Sequence, residues 1–189
     1  MTTTVELPGY IAGTWALDPI HTNISFSVRH LMVSKVRGRF TRFEGEVYTA
    51  PNPLDSWARA TIDLTSVDTG HPDRDNDLRS ANYFEIETYP EMTYRSTAIH
   101  PGGADSFLVD GDLTLHGVTR QVQLTVEVLG FTKDPWGGTR SGFSARGELN
   151  RKDFGLTTDI PMDGGGVVVG DRIEIFIEAE AVLKEPAGS

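Results

Sequence analysis

Between Ile24 and Val28 the apolar residues fall on every second position (Ile24, Phe26, Val28), with Asn23, Ser25, Ser27 and Arg29 between them. A period of two marks a strand with one buried face. After a polar break at Ser34 and Lys35 the alternation resumes through Val36, Gly38 and Phe40. It then slips one position and continues as Phe43, Gly45 and Val47. The slip at Thr41/Arg42 predicts a β-bulge, where a strand bends, so this stretch reads as a curved antiparallel hairpin. The period returns in Ala58, Ala60, Ile62 and Leu64, in Val109, Gly111, Leu113 and Leu115, in Val122 to Val128, and in Phe143, Ala145, Gly147 and Leu149. It is clearest from Asp171 to Lys184, where Ile173, Ile175, Ile177, Ala179, Ala181 and Leu183 share one face. From Met92 to His100 both faces mix apolar and polar residues, and the inward set is read as Met92, Tyr94, Ser96 and Ala98.

One stretch breaks the strand series. Asp73 to Phe84 opens with acidic residues, which suit a helix N-terminus, and carries Leu78 toward the interior. A short helix there caps one end of the sheet. Residues 1–12 read as a flexible arm, 13–184 as one domain and 185–189 as a disordered tail. A short extended piece from Gly13 to Asp18 places Trp15 to plug a barrel end. Eight long strands, mostly sequential and with a distinct inside and outside, predict an all-β fold, an eight-stranded antiparallel barrel, over a sandwich.

A barrel of eight strands is just wide enough to be filled by its own side chains or to hold one ligand. The inward positions alternate small residues (Gly38, Gly45, Ala60, Gly111, Gly147, Ala181) with large ones, which favours a cavity. The same glycines and alanines are also compatible with a tightly wound barrel whose middle is packed. If hollow, the lumen is apolar and nearly free of charge, and strands of ~10 residues give it a length of about 33 Å, suited to a long, thin lipid. Phe26, Val28, Phe40, Phe43, Leu64, Met92, Tyr94, Leu113, Leu115, Phe143 and Ile175 are the expected lining.

Composition narrows the chemistry. The 189 residues carry a net charge of -10, which repels phosphate backbones and argues against a nucleic-acid partner. With no Cys, disulfides, thiolate metal sites and Cys nucleophiles are excluded. No apolar run approaches 18 residues and the first residues lack a signal-peptide pattern, so no stable membrane insertion and a cytoplasmic location are expected.

Few motifs carry chemistry. Asp73 to Asp77 opens like a calcium loop, but Leu78 and Phe84 stand where glycine and glutamate are required. Gly142 to Gly147 is one residue too long for a nucleophile elbow. The five histidines show no metal spacing, and no metal or resident cofactor is expected. His21 and His30 bracket the first strand and are read as flanking the barrel mouth, where a polar head group sits, with Arg151 as a further head-group residue. Asp163-Gly164-Gly165-Gly166 offers backbone N–H groups to a phosphate or is a plain connection. Two other readings stay open: an enzyme acting on a lipid head group through His21, His30 and Asp18, and a haem-binding barrel with one histidine as axial ligand.

A set of residues in order along the chain resembles the YceI-like family of lipocalin-like barrels. It comprises Trp15, Asp18 and His21; Phe26, Val28 and His30; Gly38, Phe40, Phe43 and Gly45; Arg74, Asp75, Leu78 and Phe84; Tyr89-Pro90; Gly111 to Gly117; and Arg151, Asp153, Phe154 and Gly155. The resemblance implies an extended eight-stranded barrel that buries an isoprenoid lipid, often as a homodimer, with no established catalytic residues. Several members carry a signal peptide, a pattern this chain lacks, and Thr22 stands where many have Ser. A non-enzymatic carrier or store for a polyprenyl or quinone-type chain is the expectation that follows.

Overall fold

A computed structural model describes residues 7–160, 162 and 168–185. Strands form where the period of two predicts them, with one short addition, β6: β1 (Gly13–Leu17), β2 (Asn23–His30), β3 (Ser34–Phe40), β4 (Phe43–Thr49), β5 (Trp57–Asp63), β6 (Val67–Asp68), β7 (Glu91–Pro101), β8 (Ser106–Leu115), β9 (Val118–Lys133), β10 (Thr139–Asn150) and β11 (Val169–Leu183). All pairings are antiparallel, and the order β1-β4-β5-β7-β8-β9-β10-β11 closes through a β1–β11 ladder.

The shorter strands are halves of longer staves. β1 and β2 both lie along β11, Leu17 opposite Ala181 and Asn23 opposite Glu178. Thr22 fills the gap between them: its hydroxyl donates to the Glu180 carbonyl and accepts from the Glu180 N–H. β3 pairs with β2, while β4 pairs with β1. The predicted slip at Thr41/Arg42 is the joint between them, and the Ser66 hydroxyl accepts both N–H groups that the bend frees, at 3.1 and 3.0 Å. β5 and β6 form a third bent stave. Counted this way the molecule is the expected closed eight-stranded antiparallel barrel with one helix.

Four local expectations are corrected. The helix α1 spans Pro72–Arg79, shorter than predicted, because Ser80 is extended and the chain turns there, its N–H still donating to Asp77. β7 carries a bulge between Ser96 and Ala98, so Ile99, not Ala98, takes the inward place. β5 ends at Asp63, and Leu64 enters a 3₁₀ turn (Leu64–Ser66) whose Leu64 N–H donates to Pro90. Residues 7–11 are no loose arm: the Tyr10 hydroxyl donates to the Ala50 carbonyl at 2.6 Å, its ring meets Phe131 edge-on, and burial raises its pKa. Residues 1–6, the end of the tail and the Asp163 to Gly166 run lie outside the described residues.

Trp15 is wholly buried, as its plugging role requires. Its indole N–H donates to the Thr49 hydroxyl at 2.8 Å and its ring lies on Phe131. At the opposite end, α1 and the turns after it close the gap between β6 and β7 with Leu78, Tyr83 and Phe84.

Candidate functional site

The interior of the barrel holds two apolar lobes of about 190 and 180 Å³. Ile24, Ala60, Tyr94, Leu124 and Ile177 line both and form a waist between them. Together the lobes reach the range of small-molecule sites, ~300–1,000 Å³. A hollow barrel, rather than a packed one, is what these residues build.

The inward glycines create that space indirectly. A Cβ on Gly38 would lie 2.5 Å from the tip of the Phe26 ring, and one on Gly111 2.2 Å from Tyr94 Cζ. Each glycine lets a large neighbouring side chain lie flat against the wall instead of crossing the lumen. Leu17 over Gly45 and Leu124 over Gly147 repeat the arrangement. Tyr94 is held there by its hydroxyl, which donates to the Val122 carbonyl at 3.1 Å, and desolvation pushes its pKa up, so the phenol stays neutral.

Most predicted lining residues line the lumen. Phe26, Val28, Phe40, Met92, Tyr94, Leu113, Leu115 and Ile175 surround the first lobe, and Phe143 faces the second. Two do not. Leu64 left its strand one residue early and is wholly buried behind the wall. Phe43 sits at the joint of β3 and β4, where it packs against the core without reaching either lobe. The structure adds Tyr83, Phe84 and Leu156 at one end and Leu7, Tyr10, Phe107 and Phe131 at the other. Tyr83, Leu156, Leu7 and Tyr10 lie outside strands, where no period announces an inward side chain.

The head-group expectations need correction. His21 and His30 flank no common mouth: the eight residues of β2 separate them by roughly 25 Å. Asp18 and His21 sit in an outer groove at one end, so the three acid/base candidates Asp18, His21 and His30 are not one site. Neither lobe has a histidine in its lining among the described residues, which removes the axial ligand for a haem in the lumen. Arg151 does border the first lobe, but it is 2% exposed and all five of its N–H groups are committed. They donate to the carbonyls of Gly170, Leu156, Thr158 and Val169 and to Asp159 Oδ1. Arg151 is a clamp joining the end of β10 to the start of β11.

Around that clamp, family-like motifs far apart in the chain converge. His116 Nδ1 lies 3.1 Å from the Phe154 carbonyl and Nε2 3.3 Å from Glu85, while the Tyr89 ring packs at a tilt against the imidazole, its centroid 4.9 Å away. Gly155 takes a left-handed φ of 75° directly against His116. Phe154, 1% exposed, fills the centre. The motifs meet in one packed cluster beside Leu115 and Leu156, which line the first lobe.

Outside the lumen, Asp18, His21 and Glu180 bring three possible metal-ligand atoms within 4.8 Å of one another. Arg140 already stands between the carboxylates, Nη1 at 2.8 Å from both Asp18 and Glu180, so a cation would have to displace a guanidinium. The hydrogen bond from His21, and then Arg140, hold the Asp18 carboxyl far below its ordinary range; the same bond, helped by Glu180, raises the His21 pKa.

Comparison with known proteins agrees with this geometry. Residues 15–181 match the YceI-like domain. Protein YceI of Escherichia coli is 41% identical over 166 residues, 87% of this chain and 83% of that one. BcnA of Burkholderia cenocepacia superposes with a TM-score of 0.76 at 23% identity, covering 87% of this chain and 98% of BcnA. A polyisoprenoid binding domain from Saccharophagus degradans, implicated in plant cell wall breakdown, superposes with a TM-score of 0.66 at 20% identity, covering 92% and 100%. The ordered motifs, the cluster that they form and the match across nearly the whole barrel lead to one assignment: this chain belongs to the YceI-like family.

Proposed function

We propose that this chain binds a long isoprenoid lipid in its lumen and serves as a non-enzymatic carrier or store. The observation that carries the reading is the shape of the cavity, two apolar lobes in series joined at a waist of five side chains. A compact ring system needs one rounded pocket, whereas a thin branched chain threads a waist and buries apolar surface in both lobes. Burial contributes ~25 cal/mol per Å² of apolar surface, enough for tight binding without a single polar contact. The polyisoprenoid binding domain among the structural neighbours supports the same ligand class.

The head group stays outside the first lobe. Arg151 is the charged residue in the first lobe's lining and has no N–H to spare, and an unpaired phosphate in an apolar wall carries a large desolvation cost. Polyprenyl phosphates and quinones with isoprenoid side chains are both within this description.

The test is mass spectrometry of an organic extract from protein purified without detergent, followed by titration of the delipidated protein with a polyprenol. A stoichiometric isoprenoid, or saturable uptake of the added one, supports the reading. An empty extract together with no uptake overturns it.

A further inference from the structure

The turn between β2 and β3 is built against ordinary folding preference. The Val33 N–H donates to the His30 carbonyl at 3.2 Å, and the two residues between them, Leu31 and Met32, both hold positive φ, 53° and 61°. Positive φ at both central positions is the signature of a type I′ turn, for which Asn-Gly is the usual sequence. Leu and Met carry a Cβ and no side-chain amide, so both positions are strained.

Burial does not compensate. Leu31 is 39% exposed, Met32 47% and Val33 85%. Ile160, 52% exposed, is tied to them through Val168, which donates to the Ile160 carbonyl and accepts from the Leu31 N–H. Single exposed apolar residues need no explanation; a group of four on a strained tip does. Directly behind the tip, Val28 and Val169 already line the first lobe.

The flanks of the tip are cationic in a chain of net charge -10. Arg29, Lys35 and Arg37 lie on the outer face of the hairpin, Arg29 opposite Lys35 and Arg37 opposite Ser27. Lys35 pairs with Glu174, and Arg39 further down pairs with Asp68. Arg29 and Arg37 have no carboxylate partner among the described residues. A narrow convex apolar tip with a basic collar matches the interface of an anionic bilayer, where apolar side chains enter the acyl boundary and cations meet phosphates.

We propose that the Leu31–Val33 tip docks this protein on the surface of anionic phospholipid bilayers, with Arg29, Lys35 and Arg37 contacting the lipid phosphates. The docking concerns the outer tip and not the lumen, so it stands or falls apart from the identity of the cargo.

The experiment is co-sedimentation of the full chain with vesicles of phosphatidylcholine, with and without phosphatidylglycerol, at low ionic strength and free of isoprenoid. Binding is expected only to the anionic vesicles. Arg29→Ala with Arg37→Ala is expected to weaken it about fivefold per cation removed, and Val33→Asp roughly tenfold or more. Ile20→Asp, at an equally exposed residue beyond the other end of β2, leaves it unchanged. The decisive variant is Leu31→Asn with Met32→Gly, which supplies the favoured turn: its melting temperature rises while vesicle binding falls. Absence of wild-type binding to anionic vesicles, an equal loss in the Ile20 variant, or a stabilised turn variant that binds as well as wild type would each overturn the proposal.

Discussion

Ala60→Phe tests whether the two lobes act as one passage. Ala60 lies opposite Gly45 on β4 and Tyr94 on β7, and it is the smallest side chain at the waist. A phenyl ring there fills open space and separates the lobes. The second lobe has a volume of about 180 Å³, and at ~30 Å³ per water-sized volume it holds on the order of six chain carbons. At ~0.8 kcal/mol per buried CH₂, losing them forfeits roughly 5 kcal/mol of gross affinity. Ordering the chain opposes binding and offsets about half of that, so a long polyprenol is expected to bind roughly 30- to 100-fold more weakly. Prenol, whose five carbons fit one lobe by the same count, is expected to bind the variant nearly as well as wild type. The assay is displacement of a fluorescent polyprenol by each alcohol, with circular dichroism and a thermal melt to confirm the fold. A folded variant that binds the long chain with wild-type affinity would refute the idea that the waist is threaded.

Three further outcomes follow from packing and charge. Gly111→Ala drives a Cβ to 2.2 Å from Tyr94 Cζ, so the ring must leave the wall; chemical denaturation should show a loss of roughly 1–3 kcal/mol together with weaker lipid uptake. Arg151→Met removes the Arg151 donors to four carbonyls and to Asp159 Oδ1, and a loss of about 3–5 kcal/mol, with increased proteolysis between β10 and β11, is expected. His21 has a raised pKa in the folded state, so its contribution to stability is complete below its unfolded value near 6.5 and is lost as pH rises through the folded value. Melting temperatures measured from pH 6 to 8.5 should therefore fall less in His21→Gln than in wild type. Asp18 is depressed instead, so its contribution is present above about pH 4 and is lost on acidification; Asp18→Asn should flatten that acid limb.

Much of the barrel was legible residue by residue because strand parity is local. Val122, Leu124, Val126 and Val128 point inward for no reason beyond the pleat, and the break at Thr41/Arg42 showed itself as a slip in the same count. Parity fails where a partner strand is needed to know it. The bulge that turns Ile99 inward exists only in the β7–β8 pairing, and Leu64 leaves its strand because its N–H finds Pro90, distant in sequence.

The candidate site divides in the same way. Composition and alternation were enough to make the lumen mostly apolar and poor in histidine. They were not enough to say whether it was empty, because a glycine contributes space or none according to what lies over it. Phe26 over Gly38 and Tyr94 over Gly111 are contacts between neighbouring strands. Arg151 is the sharper case: its chemistry suggested a free cation, and only the approach of Leu156, Thr158, Asp159, Val169 and Gly170 to its side chain revealed that every donor was occupied. The pleat of each strand belongs to its own residues; the open volume and the committed charges belong to groups that meet only when the barrel closes.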